Sequence, residues 1–268
     1  MRIALVSLDQ CWEDKVENQL QCSRLSQRIN ADFSGVDLII YPEMTLTGFS
    51  ISNPDLAEPA TESESESESL NFFKQLSIKT QCRHIFGHAV RDGNENHFNR
   101  CSAIDSSGQI LAAYDKIHTF SFASESELYS RGDKAEQFKI DQTNIGLTVC
   151  FDLRFAELYA HYRDSCHMVV NIANWPASRK SHWLTLLRAR AIENQYFMIG
   201  VNRVGTDGNG MEYQPSSVIY DPLGELCTPL HEEAGLAIYD MDMNQVANVR
   251  AQFPFINDRR NELYKKLS

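Results

Sequence analysis

The sequence lacks the cysteine spacings of a disulfide-rich or zinc-binding protein. Its seven cysteines are scattered and odd in number, and no two are separated by only two residues. A disulfide framework and a zinc knuckle therefore both have little support. We expect reduced thiols, a cytoplasmic location, no cofactor and no metal.

Positive charge is also scarce. The chain has 25 lysines and arginines against 36 aspartates and glutamates, which gives a formal net charge of -11. Nucleic acids and anionic membranes need a basic face on their partner to neutralise phosphates. The composition argues against both partners, and an anionic ligand would need a local positive pocket.

Long hydrophobic runs are missing from the amino terminus. The stretch MRIALVSLDQ has only six mostly apolar residues before Asp9, too few for the core of a signal peptide or a membrane span. A hydrophobic content of 43% and a charged content of 23% are typical of a soluble globular protein. Since neither a repeat nor a linker stands out, we predict a single domain over residues 1–268.

Short apolar runs alternate with amphipathic stretches, a pattern that predicts an α/β fold. The runs that predict buried strands are 3–8, 36–41, 85–90, 144–150, 168–173 and 197–202. The stretches that predict helices are 14–29, 70–82, 155–165 and 180–195, the last with Trp183, Leu184, Leu187 and Ala191 on one face. Turn residues inside 98–117 and 216–227 predict two hairpins, so the sheets should be mixed.

One low-complexity run, TESESESES, covers residues 61–69. Alternating glutamate and serine favour a solvated loop that leads into the following helix. A calcium-binding or phosphoregulated strip is the alternative interpretation.

Three ionisable side chains stand at or near the ends of predicted strands. Cys150 ends a strand and is followed at once by a turn into a helix, Glu43 follows a strand and a proline, and Lys116 lies inside an apolar run. Each has an ordinary explanation: a buried small hydrophobe, a cap and an edge residue, respectively. Ligand sites of α/β sheets also lie at such strand ends.

The segments YPEMTLTGF (41–49), YDKIHTF (114–120) and LTVCFDLRFAELY (147–159), in that order, closely resemble the nitrilase superfamily of carbon-nitrogen hydrolases. The resemblance spans the chain from IALVSLDQ to AQFPFINDRR. It implies a four-layer αββα sandwich with mixed sheets and a catalytic triad of Glu43, Lys116 and Cys150. It also implies a second glutamate, for which Glu125 aligns best and Glu127 is the fallback.

The chemistry of such a triad follows from elementary physical arguments. A thiol is mostly protonated at pH 7, so amide cleavage needs a base for the thiol proton and an acid for the leaving nitrogen, and Glu43 can serve as both in turn. An ion pair at about 4 Å and an effective dielectric near 20 is worth roughly 4 kcal/mol. We therefore expect Lys116 to favour the Cys150 thiolate about as much as Glu43 opposes it. Lys116 and the N–H of Phe151 would stabilise the oxyanion, and water would hydrolyse the thioester.

Histidine offers a weaker alternative base. None of the eight histidines lies in a recognisable base context, and His118 is expected to pack or hydrogen-bond near the site. His84 and His88 have the spacing of a metal-ligand pair on a helix, but their segment predicts a strand, where they would be roughly 13 Å apart.

The residues after the nucleophile indicate an amide substrate. Nitrilases proper usually have Trp-Glu where this chain has Phe151-Asp152, which looks like the amidase branches. Segments 174–195 and 202–213 are similar to the bacterial omega-amidase branch, which releases ammonia from 2-oxoglutaramate and 2-oxosuccinamate. Deaminated-glutathione amidase, N-carbamoyl amidohydrolase and a noncatalytic binding protein with this fold remain alternatives.

An anionic substrate needs positive charge near these motifs. Arg154 and Arg179 are the candidates for holding it, whereas Lys180 is expected to be solvated, and Tyr41 and Trp175 are candidates for the pocket walls. Arg154 has an alternative role in an ion pair with Asp152 or Glu157, and the aromatic residues have one in core packing.

The chain departs from the family pattern at two places. Ala156 replaces a proline, and Pro215-Ser216-Ser217 stands where the omega-amidase branch has Gly-Asp-Ser, which bears on the substrate assignment.

We expect a homodimer, because family members commonly pair near the nucleophile's helix, through a patch of Phe155, Leu158, Tyr159 and Tyr162.

Overall fold

The computed structural model describes residues 1–60 and 67–267, and in this part of the chain helices alternate with strands. The α-helices are α1 (Lys15–Asp32), α2 (Glu68–Thr80), α3 (Glu125–Leu128), α4 (Ala156–Tyr162), α5 (Lys180–Asn194), α6 (Asn244–Gln252) and α7 (Asn261–Leu267). The strands are β1 (Arg2–Val6), β2 (Leu38–Ile40), β3 (Glu58–Pro59), β4 (Arg83–Arg91), β5 (His97–Ile104), β6 (Ile110–Asp115), β7 (Gln137–Ile140), β8 (Thr143–Val149), β9 (Met168–Ala173), β10 (Phe197–Asn202), β11 (Gly205–Thr206), β12 (Glu212–Tyr213), β13 (Val218–Tyr220), β14 (His231–Glu233) and β15 (Leu236–Asp240).

The strands form two large sheets and one small ribbon. The first sheet has the order β14-β15-β1-β2-β4-β5-β6, with β3 paired to β4, and the second has the order β13-β10-β9-β8-β7. Parallel pairs lie in the middle of each sheet and antiparallel pairs at the sides. The prediction of an α/β fold with mixed sheets is confirmed.

Alternation along the strands explains the layers. On β1, Ile3 and Leu5 pack into the core between the two sheets, whereas Ala4 and Val6 face α1 and α2. Successive side chains of a strand point to opposite faces, so a strand that is apolar at every position must be covered on both sides.

The second sheet is buried in the same way. Phe197 and Ile199 of β10 pack into the core between the sheets, and Met198 between them packs on the other face with Trp183 and Leu187 of α5. The order of layers is therefore helix, sheet, sheet, helix, as the resemblance implied.

The second predicted hairpin forms only in part. Strand β13 is present, but the segment after the turn contributes a single bridge between Tyr220 and Leu226. Asp221 accepts hydrogen bonds from the backbone N–H groups of Leu223 and Glu225. These bonds form the predicted turn, but the predicted strand after it is reduced to the single bridge at Leu226.

The predicted dimer patch on α4 is wrong for three of its four residues. Leu158, Tyr159 and Tyr162 are buried in the core between α4, α5 and the second sheet. The Tyr162 hydroxyl donates to the backbone oxygen of Leu147, and the Tyr159 hydroxyl pairs with Thr148. The face of α4 that carries these three residues is buried against its own sheet, so it is not available for contact with a second molecule.

Most of the Glu-Ser run, residues 61–66, lies outside the described residues. Its last part begins α2: the Ser67 hydroxyl caps the helix and, with Ser69, donates to the buried carboxylate of Glu58. None of the helices in the described ranges is long and apolar enough to cross a bilayer.

Candidate active site

Four polar side chains meet where strands of both sheets end. Lys116, Cys150 and Asn174 directly follow β6, β8 and β9, and Glu43 follows β2 by three residues. All four line one cavity of about 300 Å³. The two sheets thus bring the three predicted triad residues to a common space, although 107 positions separate Glu43 from Cys150.

The turn that holds Glu43 is fixed by close backbone packing. A Cβ atom on Gly87 of β4 would lie 2.5 Å from the Met44 nitrogen, so only glycine allows this approach. The side chain of Gln10 donates to the backbone oxygens of Glu43 and Met44, at 2.9 Å each. The backbone at Glu43 is therefore held between β4 and the side chain of Gln10.

The turn at the nucleophile is tied to the segment that carries Lys116. Cys150 has a φ of 44°, which an L-residue rarely adopts. The carboxylate of Asp152 accepts from the Val149 N–H, the Tyr114 hydroxyl and the His118 N–H, at 2.8–3.0 Å. His118 also pairs through Nδ1 with Asp152 and thus supports the turn. It is not among the residues that line the cavity.

Lys116 lies between two buried carboxylates. Its Nζ is 3.1 Å from Glu43 Oε1 and 3.0 and 2.8 Å from the two oxygens of Glu125. Glu127, the fallback for the second glutamate, is exposed and interacts with Ser124. Of the two candidates, only Glu125 reaches the lysine, because it begins α3 on the side that faces the site.

Burial and charge act in opposite directions on the lysine and the cysteine. Burial lowers the pKa of Lys116, but the charges of Glu125 and Glu43 outweigh it and raise the pKa above its usual value. Burial and the charge of Glu43 raise the pKa of Cys150 well above its usual value, although Lys116 lowers it. The sequence analysis expected the effects of Lys116 and Glu43 on the Cys150 thiolate to cancel, but it did not include the burial of the thiol. Because burial also disfavours the thiolate, the thiol form dominates at rest.

Two asparagines that the sequence did not single out contact the same carboxylates. Asn174 donates its backbone N–H to Glu43 Oε2 at 2.8 Å, and its backbone oxygen lies 4.0 Å from Cys150 Sγ. Asn99 on β5 donates to both Glu43 and Glu125. The position of Asn174 directly after a buried strand was a usable signal, whereas nothing in the sequence marked Asn99.

The other walls of the cavity are mostly apolar, with two arginines. Arg154, Trp175 and Arg179, which the sequence predicted for a substrate pocket, line it, as does Phe151, which was predicted for the oxyanion hole. The remaining lining residues were not predicted: Phe49, Ile51, Ser52, Phe120, Ala123, Pro176, Asp207, Asn209, Met211 and Tyr213.

The two arginines have aromatic neighbours. Arg154 lies over the Trp175 ring, at 4.9 Å from its centre, and Arg179 over the Phe120 ring, at 5.7 Å. Within residues 1–60 and 67–267 neither guanidinium forms an ion pair, so the alternative pairing of Arg154 with Asp152 or Glu157 is wrong. Burial and the neighbouring Arg179 lower the pKa of Arg154, as expected for two cations without a counterion.

Tyr41 does not wall the cavity, so that prediction is wrong. Its side chain is buried between the first sheet and the helices, where its hydroxyl pairs with Ser26. Ile40 already faces the core between the sheets, and alternation places the next residue on the opposite face.

The departure at residues 215–217 lies away from the cavity. Ser217 pairs with Ser7, and the backbone oxygen of Ser216 accepts from the Trp183 indole. Neither serine is among the residues that line the cavity.

His84 and His88 both lie on strand β4, as the sequence predicted. Burial lowers the pKa of His84 to about 3 and that of His88 to about 4. His84 pairs with Ser77 and His88 with Ser102. In the described part of the chain, no group of three or more histidine, cysteine, aspartate or glutamate side chains could hold a metal ion.

The sequence matches a known family and several characterised proteins. The family model described as carbon-nitrogen hydrolase covers residues 2–251. A Staphylococcus aureus protein named hydrolase in agr operon is 33% identical over 99% of this chain and all of its own length. An omega-amidase of Yersinia enterocolitica is 33% identical over 96% of both chains, and a 2-oxoglutaramate amidase of Bacillus subtilis is 30% identical over 88% of this chain and 90% of its own.

A solved structure shares the fold. XC1258 of Xanthomonas campestris, a CN-hydrolase superfamily protein with an arsenic adduct in its active site, superposes with a TM-score of 0.88 at 29% identity. The match covers 97% of each chain. The likeness therefore includes both sheets and the helices that flank them.

Proposed function

Because this chain belongs to the carbon-nitrogen hydrolase family, whose members cleave non-peptide carbon–nitrogen bonds, we propose that it is an omega-amidase that acts through Cys150. Its substrate is the terminal amide of a small oxoacid such as 2-oxoglutaramate or 2-oxosuccinamate. One observation carries the proposal: Glu43, Lys116 and Cys150 line the same small cavity as two arginines that form no ion pair within the described residues.

In the first half of the reaction, Glu43 takes the proton of the Cys150 thiol as Sγ attacks the amide carbon. The negative charge that develops on the carbonyl oxygen is stabilised by the Lys116 ammonium and the N–H of Phe151. Glu43 then gives its proton to the amide nitrogen, the carbon–nitrogen bond breaks, and ammonia leaves. A thioester between Cys150 and the substrate carbonyl remains.

In the second half, water replaces ammonia at the same position. Glu43 takes a proton from the water, whose oxygen attacks the thioester carbon, and the thiol of Cys150 leaves with that proton. The products are the free carboxylate and the restored enzyme. The raised pKa of Cys150 supports this scheme, because a thiol that is neutral at rest needs a base at the moment of attack.

Glu125 has a different task from Glu43. It forms two hydrogen bonds with the Lys116 ammonium and accepts the N–H of Phe120. These contacts keep the Lys116 ammonium charged and fix its orientation in the site. Two carboxylates beside one ammonium thus allow Glu43 to gain and lose a proton while Lys116 stays positive.

The unpaired arginines favour a substrate with a carboxylate. A carboxylate near Arg154 and Arg179 would supply the counterion that both lack. A cavity of about 300 Å³ is at the lower end of the usual range of ligand pockets, about 300–1,000 Å³. It suits a short oxoacid amide better than deaminated glutathione, which is much longer, and N-carbamoyl amino acids remain the second candidate.

Ammonia release from four substrates tests the assignment: 2-oxoglutaramate, 2-oxosuccinamate, deaminated glutathione and an N-carbamoyl amino acid. We expect the first two to react fastest. In Arg154→Met, KM for 2-oxoglutaramate should rise about 10-fold to 100-fold, because a hydrogen bond to a charged group contributes roughly 1.5–3 kcal/mol. Hydrolysis of an uncharged short amide should change little.

Lys180→Met is the matched control, since Lys180 is not among the cavity-lining residues and its loss should leave KM unchanged. Turnover of only deaminated glutathione or the N-carbamoyl compound would refute the oxoacid assignment.

Glu125→Gln should lower kcat about 100-fold or more with little change in KM. The glutamine keeps the shape of the side chain but removes the charge that orients Lys116, and general acid–base machinery contributes about 10²–10⁴-fold in typical enzymes. Steady-state kinetics on 2-oxoglutaramate measures the effect.

Glu127→Gln serves as the control, because this glutamate is exposed two positions away and should keep full activity. Equal losses in the two variants would show that Glu125 has no special role.

Three further expectations from the sequence stay predictions. They are a single domain over residues 1–268, a cytoplasmic location and a homodimer. Light scattering tests the last of these, with an interface other than the buried face of α4.

A further inference from the structure

Asn99 connects the two carboxylates of the site. It lies on β5 and is 1% exposed. Its side-chain Nδ2 donates to Glu43 Oε1 at 2.7 Å and to Glu125 Oε1 at 3.0 Å. The two hydrogens of one amide group thus reach two acidic side chains from distant parts of the sequence.

The same residue also holds the backbone at the lysine. The Asn99 carbonyl oxygen accepts the N–H of Lys116 at 2.9 Å, because β5 and β6 are neighbouring antiparallel strands. Asn99 therefore contacts Glu43, Glu125 and Lys116 at once. It is not among the described residues that line the cavity, so it acts through these groups and not on the substrate.

The orientation of the amide follows from the charges around it. If the group were turned over, Oδ1 would face two carboxylates and both contacts would be repulsive. In the observed orientation, Oδ1 is buried and has no hydrogen-bond partner within the described residues. An unpartnered buried oxygen is costly, which indicates that the two bonds of the amide nitrogen outweigh it.

We propose that Asn99 is a positioning residue that holds the Glu43 and Glu125 carboxylates side by side, in the orientation from which Glu43 can accept the proton of Cys150. This inference rests on the proposed role of Glu43 as the base. The other ionisable groups that face the two glutamates are Lys116, Cys150 and Tyr129. Lys116 supplies only one positive charge, and the Asn99 amide adds one donor to each carboxylate, beside the backbone N–H groups of Asn174 at Glu43 and Phe120 at Glu125.

Removing the amide changes the balance of charge in a defined direction. In Asn99→Ala the carboxylates lose one donor each, and their repulsion favours uptake of a proton by the site. Asn99→Asp keeps the size of the side chain but adds a third carboxylate, which favours proton uptake still more. If Asn99 only filled space, Asn99→Asp should be more active than Asn99→Ala, because aspartate has nearly the same size as asparagine. If Asn99 positions the carboxylates, Asn99→Asp should be the less active of the two.

The test measures kcat and KM on 2-oxoglutaramate, and the rate at which iodoacetamide alkylates Cys150 from pH 4 to 9, for wild type and both variants. We expect kcat of Asn99→Ala to fall about 10-fold to 100-fold with KM within about twofold of wild type. The acid-side midpoint of the alkylation profile should move up by about one pH unit, and further in Asn99→Asp.

Ser102→Ala is the control, since Ser102 lies on the same strand and bonds His88, not a glutamate. It should leave kcat and the midpoint unchanged. If Asn99→Asp is more active than Asn99→Ala, or if the midpoint of Asn99→Ala does not move, the proposal is overturned. Should Asn99→Asp fail to fold, the midpoint of Asn99→Ala decides alone. A wild type that releases no ammonia would refute the proposed function, while the alkylation profiles would still decide the role of Asn99.

Discussion

Replacing Cys150 with alanine is expected to reduce kcat/KM for 2-oxoglutaramate by about 10⁴-fold or more, because a thioester cannot form without the sulfur. The variant should remain folded. Among the described residues, the hydrogen-bonding contact of the Cys150 thiol is a long one, at 4.0 Å from the Asn174 oxygen, so the melting temperature should change little. Ammonia release and thermal melting measure the two outcomes.

The same variant separates an enzyme from a noncatalytic binding protein with this fold. In the wild type, iodoacetamide should label Cys150 first among the seven cysteines, because it is partly exposed toward the cavity and adjoins Glu43 and Lys116. Cys227→Ala is the control, since Cys227 is also partly exposed but lies outside the cavity. Indifferent labelling of the thiols, or full turnover by Cys150→Ala, would support the binding protein.

Lys116→Met is expected to lower kcat about 10³-fold and also to destabilise the protein. Loss of the ammonium removes an oxyanion donor, and one such donor contributes about 10²–10³-fold in kcat. It also leaves Glu43 and Glu125 buried without their counterion. Removal of one partner from a buried ion pair typically costs about 3–5 kcal/mol. Kinetics and urea unfolding at pH 7 check both effects.

The pH dependence of this stability has a defined sign. Folding raises the pKa of Lys116, so its contribution is fully present below the usual lysine pKa of about 10.4 and is lost only in strongly alkaline solution. In Lys116→Met the repulsion between the two buried glutamates is relieved when the pair binds a proton. The difference in stability between wild type and variant should therefore shrink as the pH falls.

Lys15→Met is the matched control for Lys116→Met. Lys15 pairs with the buried Glu58 at 2.7 Å, and neither residue is among those that line the cavity. Its removal should cost stability but leave kcat unchanged. Equal losses of activity in the two lysine variants would refute the role of Lys116 in the reaction.

The sequence by itself predicted the six buried strands, and its resemblance to a known family supplied the layers and the candidate triad. Runs such as MVVNIA at 168–173 are apolar at nearly every position, and such a run forms a strand that is covered on both faces, whatever the rest of the chain does. Glu43, Lys116 and Cys150 were found because each lies in a local motif. Local order along the chain was enough for these predictions.

Only the tertiary structure decided which face of an element meets which layer. Tyr41 and the three buried residues of α4 were assigned to the wrong surroundings, because an apolar side chain indicates burial but not the partner that buries it. Asn99 had no sequence signal, since its role depends on contacts with Glu43 and Glu125, which lie 56 and 26 positions away. Hydrogen bonds between distant segments are set by the packing of the sheets, and periodicity along one strand contains no information about them.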